Sequence, residues 1–139
     1  MSNTQTQFIR LVDDLIENVK TWAEPVGWTT KLYPKRMRAS DRSIFEISAL
    51  YLQKGPTRVL LDPVAYDVPG ADAAVDLYLM PTYEDLASLY FRENQWMIHY
   101  SFSDDTLAES FNEPDTLSLD EKSLVRVLDS IAAHATPSV

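Results

Sequence analysis

The 139-residue sequence has no cysteine, and this absence removes several classes of functional site at once. Without thiols there are no disulfide bonds, no Cys-ligated zinc or iron–sulfur sites and no thiol nucleophiles. Histidine is nearly missing as well, because His99 and His134 are the only two. Carboxylates, hydroxyls and lysines must therefore supply most of any site chemistry.

Glycine and the common enzyme motifs are scarce too. With three glycines in the chain, a glycine-rich loop that cradles phosphate is hard to build. The sequence also lacks the patterns GxxxxGK[ST], GxGxxG, GxSxG and HExxH and the EF-hand loop. These absences argue against nucleotide enzymes in particular, and we predict no cofactor.

Long apolar runs are also missing. Runs such as residues 77–80 are four residues long, whereas a transmembrane helix needs about 18 or more. The N-terminal residues 1–4 do not combine a basic stretch with an apolar one, as a secretory signal does. We therefore expect a cytoplasmic protein that does not enter a membrane.

Acidic residues are in excess, and they are concentrated in one part of the chain. The formal net charge is −9, from 12 basic and 21 acidic residues. Residues 62–121 hold 14 acidic residues against Arg92 alone, whereas residues 31–42 carry five basic residues against Asp41. Nucleic acid could contact only this basic segment, and the global acidity repels a phosphate backbone, so we do not expect nucleic-acid binding.

Two segments have the periodicity of amphipathic helices. In the first, apolar residues recur at i, i+3, i+4 and i+7, which predicts a helix at about 5–23. In the second, Ser118 and Glu121 have capping-box spacing and an apolar stripe follows, which predicts a helix at about 119–134. Each helix has one apolar stripe, so each can cover only part of one sheet face.

The segments between the helices favour strands, because they are rich in β-branched and aromatic residues and bounded by turn formers. Pro34 marks the first strand as an edge or broken strand, and the prolines and glycine of 62–70 favour an irregular crossing. The acidic segment 103–118 has few apolar anchors and predicts a solvated loop. The predicted strands lie at about 28–34, 43–53, 57–62, 74–80, 86–92 and 96–102.

The element order lacks the βαβ alternation of a parallel sheet. We therefore predict an α+β fold, in which a meander-like antiparallel sheet of five to six strands is flanked by an N-terminal and a C-terminal helix. The length suits a single domain over residues 1–139, and no internal repeat divides it. One sheet face must then stay wet or meet a partner.

His99 lies in a predicted strand, on the face opposite that of Trp96. A histidine can act as a general base if a carboxylate orients it, and Asp76 or Glu46 on another strand could do so. His99 with Asp76 is therefore the candidate acid/base pair of a small hydrolase or isomerase-like enzyme. The alternative is that His99 is a half-buried surface residue, while His134 complements the dipole of the last helix.

A series of aspartates precedes and enters the strand at 74–80. Carboxylates are suitable ligands for hard divalent cations, but the five-residue spacing does not match the alternate-position spacing of calcium loops. The alternative is that these residues cap turns. We predict no resident metal and keep as weak candidate ligands Asp62, Asp67 and Asp72.

Seven tyrosines and three tryptophans exceed what a plain core requires. Such residues are enriched at recognition surfaces, because they combine a large contact area with a polar group. If Tyr78 lies near Tyr90, the uncovered sheet face presents aromatics beside Asp76; cross-strand packing within the domain is the alternative. The candidate binding residues are Tyr78, Tyr83, Tyr90, Arg92 and Trp96.

These features favour a non-enzymatic binding module over an enzyme. The acidic sheet face and the loop at 103–118 would contact a protein partner, and the charge favours a basic one. Small acidic α+β proteins with a curved sheet include secretion chaperones and toxin-neutralising immunity proteins, an analogy of fold that assigns no residue. A homodimer joined through the uncovered face is a further hypothesis, which needs that face to be apolar at its centre.

Overall fold

The described part of the chain contains two α-helices and seven strands. The computed structural model describes residues 3–39, 41–100 and 116–135. Helix α1 (Asn3–Ala23) is followed by a single 3₁₀ turn (Glu24–Val26), and helix α2 (Glu121–Ala135) follows the last strand. The strands are β1 (Thr29–Arg38), β2 (Ile44–Lys54), β3 (Thr57–Val68), β4 (Ala71–Leu79), β5 (Glu84–Arg92), β6 (Gln95–Tyr100) and β7 (Thr116–Ser118).

The strands form one antiparallel sheet in which each pairs with its neighbours in sequence, in the order β1 to β7. The predicted α+β meander is thus confirmed, with one strand more than predicted. The additional strand is β7, where residues 116–118 were expected to be part of a loop; it pairs with β6, and Leu117 is buried. Residues 103–115 of the predicted loop lie outside the described residues.

The hydrophobic core lies between the two helices and one face of the sheet. The apolar stripes of α1 and α2 predicted from the sequence are buried in a single cluster with alternate residues of the strands. Fully burying one such side chain contributes about 1.5–3 kcal/mol. The cluster is centred on Phe8, Leu15, Ile16, Leu50, Leu61, Leu77, Leu89, Ile98, Leu124 and Leu128.

The N-cap of helix α2 is Asp120, two residues after the predicted cap Ser118. The Asp120 carboxylate accepts a hydrogen bond of 2.8 Å from the Ser123 backbone N–H, and the Ser123 hydroxyl lies 2.9 Å from the Asp120 backbone nitrogen. Asp120 and Ser123 therefore form the reciprocal cap that the sequence assigned to Ser118 and Glu121, so that prediction is wrong. Ser118 contributes its carbonyl oxygen, which accepts a bond from the Ser123 hydroxyl.

Two bulges, one on β3 and one on β5, change the register with which these strands pair with β4. The first lies between Pro63 and Ala65 of β3, and it allows β3 to continue through the segment expected to be an irregular crossing. A bulge tolerates proline, which cannot donate a hydrogen bond to the neighbouring strand. The second bulge places Tyr78 of β4 opposite Asp85 instead of Leu86.

Strand β1 is an edge strand, as Pro34 predicted, and it pairs with β2 along all ten of its residues. Its exposed apolar side chains include Leu32 and Tyr33. Among the described residues, no helix combines the length and apolar character needed to cross a bilayer.

Candidate functional site

The candidate site lies on the open face, by which we mean the sheet face opposite the one that carries α1 and α2. Strand pairing aligns four polar residues of neighbouring strands across this face: Asp62 is opposite Asp76, Asp76 is opposite Ser88, and Ser88 is opposite His99. We call these four residues the polar row. The centre of the open face is therefore hydrophilic, because the row crosses four successive strands.

Asp76 is anchored by two hydroxyl groups. Its Oδ2 accepts a hydrogen bond of 2.9 Å from the Tyr78 hydroxyl, and its Oδ1 accepts one of 2.8 Å from the Ser88 hydroxyl. Hydrogen bonds from neutral hydroxyls to an ionised carboxylate are stronger than those between neutral groups. Both oxygens of Asp76 are thus held in place on the sheet.

A lysine offsets part of the repulsion between Asp62 and Asp76. Like charges directly opposite each other on adjacent strands destabilise a sheet. The Lys35 ammonium lies 2.8 Å from Asp62 Oδ1 and also donates to the carbonyl oxygen of Pro63. The side chains of Lys35 and Asp62 are 26% and 16% exposed, so this ion pair is partly shielded from water.

Asp85 joins the two aspartates because of the bulge on β5, and we call Asp62, Asp76 and Asp85 the carboxylate cluster. Burial raises the pKa of Asp85 above its usual value, and the charge of Asp76 raises it further. Burial also raises the pKa of Tyr78. The hydrogen bond to Asp76 and the charges of the carboxylate cluster raise this pKa further. The cluster is therefore a site of concentrated negative potential.

Tyr83 projects beside this cluster. It follows the cis peptide bond between Met80 and Pro81, has a φ of +57°, and is 57% exposed. Its ring packs edge-to-face against Tyr78, with 5.7 Å between ring centroids and an interplanar angle of 66°. The open face thus presents an accessible aromatic ring next to carboxylates, an arrangement suited to binding a cationic side chain.

The other predicted binding residues lie elsewhere. Tyr90 is opposite Ala74, so four residues of β4, or roughly 13 Å, separate its position from that of Tyr78. The register therefore does not bring Tyr78 next to Tyr90, and the polar row runs between them. Arg92 is exposed at the end of β5. Trp96 packs against the core, and its ring centroid lies 5.3 Å from that of Phe91.

The register does not pair His99 with Asp76. Ser88 of β5 lies between them, so their backbones are two strand spacings apart, roughly 10 Å. In a Ser–His–Asp triad the histidine lies between the hydroxyl and the carboxylate, whereas the Ser88 hydroxyl here donates directly to Asp76. Glu46 is on β2, four strands from His99.

The predicted metal ligands do not converge in the described part of the chain. Asp62 is paired with Lys35, Asp72 is exposed at the start of β4, and the side chain of Asp67 lies outside the described residues. The described residues contain no group of three or more potential ligands that could hold a metal ion.

Sequence reasoning missed Lys35, Ser88 and Asp85 as members of the site. Alternation in the predicted strand 86–92 places Ser88 on the face of Tyr90, so that signal was available. Asp85 depends on a bulge, and Lys35 reaches Asp62 across the intervening strand β2. Neither relationship follows from alternation within a single strand.

No family model, curated protein or solved structure matches this chain. Function is therefore inferred from the chain's own residues and their arrangement on the open face.

Proposed function

We propose that the protein is a non-enzymatic binding module, and that its open face takes up a basic segment of a protein partner, in the manner of a chaperone or an immunity protein. The observation that carries this proposal is the exposed Tyr83 ring, which is packed against Tyr78 beside Asp76 and Asp85. An arginine or lysine side chain laid on Tyr83 would meet both a π face and carboxylate oxygens.

The local charge supports a cationic ligand. Lys35 offsets part of the charge of Asp62, and the charges of Asp76, Asp62 and Asp85 all contribute to the raised pKa of Tyr78, which indicates a negative potential at this side chain. Arginine suits such a site particularly well, because its planar guanidinium stacks on aromatic rings and donates to carboxylates in pairs. The chain's net charge of −9 adds long-range attraction for a basic partner.

The shape of the surface supports a macromolecular partner. The open face is part of a seven-stranded sheet, and an exposed tyrosine with a packed aromatic neighbour has the character of a binding hot spot. The polar row does not suit a homodimer built on an apolar centre. We therefore favour a different protein as the partner over a second copy of this chain.

The proposal is tested with a blocked tetra-arginine peptide as the probe, titrated into the isotopically labelled full chain and followed by NMR. We expect chemical-shift changes centred on residues 76–85. Asp85→Asn and Tyr83→Ala should each weaken binding by roughly three- to tenfold, which corresponds to about 0.7–1.4 kcal/mol per lost contact.

A matched control separates a specific site from general acidity. Asp13→Asn removes one carboxylate from α1, which packs on the other face of the sheet, and should leave the affinity within about twofold. An equal loss for Asp13→Asn and Asp85→Asn would show that the peptide responds to net charge alone. Shifts spread over the whole acidic surface would contradict the proposal in the same way.

A further inference from the structure

A concave surface lies where β1, β2 and β3 meet. It is a cavity of about 380 Å³, which we call the basic pocket, and no member of the carboxylate cluster lines it. Its volume is within the range of small-molecule sites. The lining residues are Thr29, Thr30, Lys31, Tyr51, Gln53 and Arg58.

Strand register assembles the pocket from three strands. Gln53 of β2 is opposite both Thr29 of β1 and Arg58 of β3, and Lys31 is opposite Tyr51 two residues along. The two cationic residues thus lie on strands on either side of β2 and two positions apart along them, so their backbones are roughly 12 Å apart. Their long side chains can reach a common ligand above Tyr51.

Lys31 and Arg58 supply the positive charge of this pocket. Neither Lys31 nor Arg58 forms an ion pair within the part of the chain that the structure describes. The Arg58 guanidinium carbon lies 5.9 Å from the centre of the Tyr51 ring. The carboxylate of Glu24 is close to this pocket, because it accepts a hydrogen bond from the hydroxyl of the lining residue Thr30.

The donors that remain define the ligand's chemistry. The Thr29 hydroxyl donates to the Gln53 carbonyl oxygen, and the Gln53 amide donates one of its two hydrogens to the Gly55 carbonyl. The ammonium, the guanidinium and one amide N–H are left for a ligand. Two cations match a doubly charged anion, because a single carboxylate would leave one cation uncompensated.

An aromatic surface adjoins the two cations. Tyr33 packs edge-to-face against Tyr51 at a centroid distance of 5.6 Å, and it is 49% exposed. We propose that the basic pocket binds a small aryl phosphate monoester, with its phosphate between Lys31 and Arg58 and its ring on the Tyr51 and Tyr33 side. This inference is independent of the proposed protein partner.

Phenyl phosphate is the probe, with inorganic phosphate and benzoate as comparisons, titrated into the labelled full chain. We expect shifts at residues 29–31, 51–53 and 57–58, and a tighter affinity for phenyl phosphate than for either comparison. Lys31→Gln and Arg58→Gln should each weaken binding by roughly three- to tenfold, the effect of losing one exposed charge-assisted contact. Both side chains are exposed, so neither variant should prevent folding.

Arg36→Gln is the matched control, because it removes the same charge from β1 outside the pocket, opposite Glu46. It should leave the affinity for phenyl phosphate within about twofold. An equal loss for Arg36→Gln and Arg58→Gln would overturn the site. If benzoate binds as tightly as phenyl phosphate, the pocket does not select a doubly charged anion. If inorganic phosphate binds as tightly as phenyl phosphate, the aromatic ring of the ligand does not contribute to binding.

The two sites can fail separately. Arg58→Gln should leave tetra-arginine binding unweakened, and Asp85→Asn should leave phenyl phosphate binding unweakened. A coupled loss in both variants would contradict the assignment of two independent sites.

Discussion

The Tyr78 hydroxyl donates a hydrogen bond of 2.9 Å to the carboxylate of Asp76, two residues earlier on the same strand. Both side chains lie on the open face, because successive residues of a strand alternate between faces. Ser88 donates to the other oxygen of Asp76 from the neighbouring strand. The Asp76 carboxylate is therefore fixed in position by two hydroxyls, and Tyr78 connects it to the exposed ring of Tyr83.

The first prediction concerns the ionisation of Tyr78. Burial and the neighbouring carboxylates raise the pKa of Tyr78, whereas a tyrosine in the unfolded chain ionises near 10. The neutral phenol therefore stabilises the folded state fully below about pH 10, and this contribution is lost as the pH rises through the native pKa. We expect an ultraviolet titration to show a tyrosine with a strongly raised pKa that disappears in Tyr78→Phe.

Denaturant unfolding at several alkaline pH values provides the second readout. The native protein should lose stability above pH 10 more steeply than Tyr78→Phe, because the variant lacks the ionising group. Parallel stability curves for the two proteins would contradict the proposed environment of Tyr78.

The second prediction concerns the ion pair of Lys35 with Asp62. In Lys35→Met, the largely buried Asp62 carboxylate would lie opposite Asp76 without a compensating cation. We expect a loss of about 1–3 kcal/mol in the free energy of unfolding, because one charged partner remains unsatisfied. Adding Asp62→Asn to this variant should recover much of the loss in a double-mutant cycle.

A surface ion pair is the comparison for this cycle. Lys54 and Asp129 are 3.7 Å apart, and their side chains are 41% and 54% exposed. Asp129→Asn should therefore cost no more than about 0.5 kcal/mol. Similar costs for Lys35→Met and Asp129→Asn would show that the polar row does not depend on Lys35.

Much of the fold follows from local patterns in the sequence. Helix α1 lies at Asn3–Ala23, where the apolar stripe predicts a helix at about 5–23, because its periodicity is sustained over five turns. The segment after Asp62 was predicted incorrectly, because proline was expected to end the strand. Pro63 instead lies at a bulge, where β3 can continue without its backbone N–H.

Local sequence patterns predict only part of the candidate site. Alternation assigns Asp76 and Tyr78 to one face of β4, but it gives no register between strands. The position of Asp85 opposite Tyr78 depends on one extra residue in β5, and the placement of Ser88 between Asp76 and His99 depends on pairing. A one-residue difference in register reverses which side chains meet, so these relationships require the folded structure.

The third prediction concerns the cap of α2. The reciprocal hydrogen bonds of Asp120 and Ser123 satisfy two backbone donors at the start of the helix. Asp120→Ala should therefore lower the free energy of unfolding by about 1 kcal/mol, measured by chemical denaturation. Ser118→Ala should cost little, because among the described residues the Ser118 hydroxyl makes only a 3.9 Å contact, with the Met97 sulfur. If Ser118→Ala lowers the free energy of unfolding more than Asp120→Ala does, Ser118 is the N-cap residue, as predicted from the sequence.

The fourth prediction separates stability from binding at Asp85. Because burial and Asp76 raise the pKa of Asp85, the folded state favours its protonated form, and this advantage is lost as the pH rises above about 4. Asp85→Asn should therefore stabilise the protein at neutral pH by a few tenths of a kcal/mol, after allowance for solvent screening, and by less near pH 3. The same variant should bind the tetra-arginine peptide more weakly.

Asp13→Asn is the control for the opposite effects of Asp85→Asn on stability and on peptide binding. Burial, followed by the charges of Asp14 and Glu17, raises the pKa of Asp13, so its replacement should also stabilise the protein at neutral pH. Peptide affinity should not change, because α1 packs on the other face of the sheet. Only a residue whose charge serves recognition combines a gain in stability with a loss of binding. If Asp85→Asn and Asp13→Asn change both quantities alike, Asp85 belongs to the general surface charge and the open face loses its proposed binding residue.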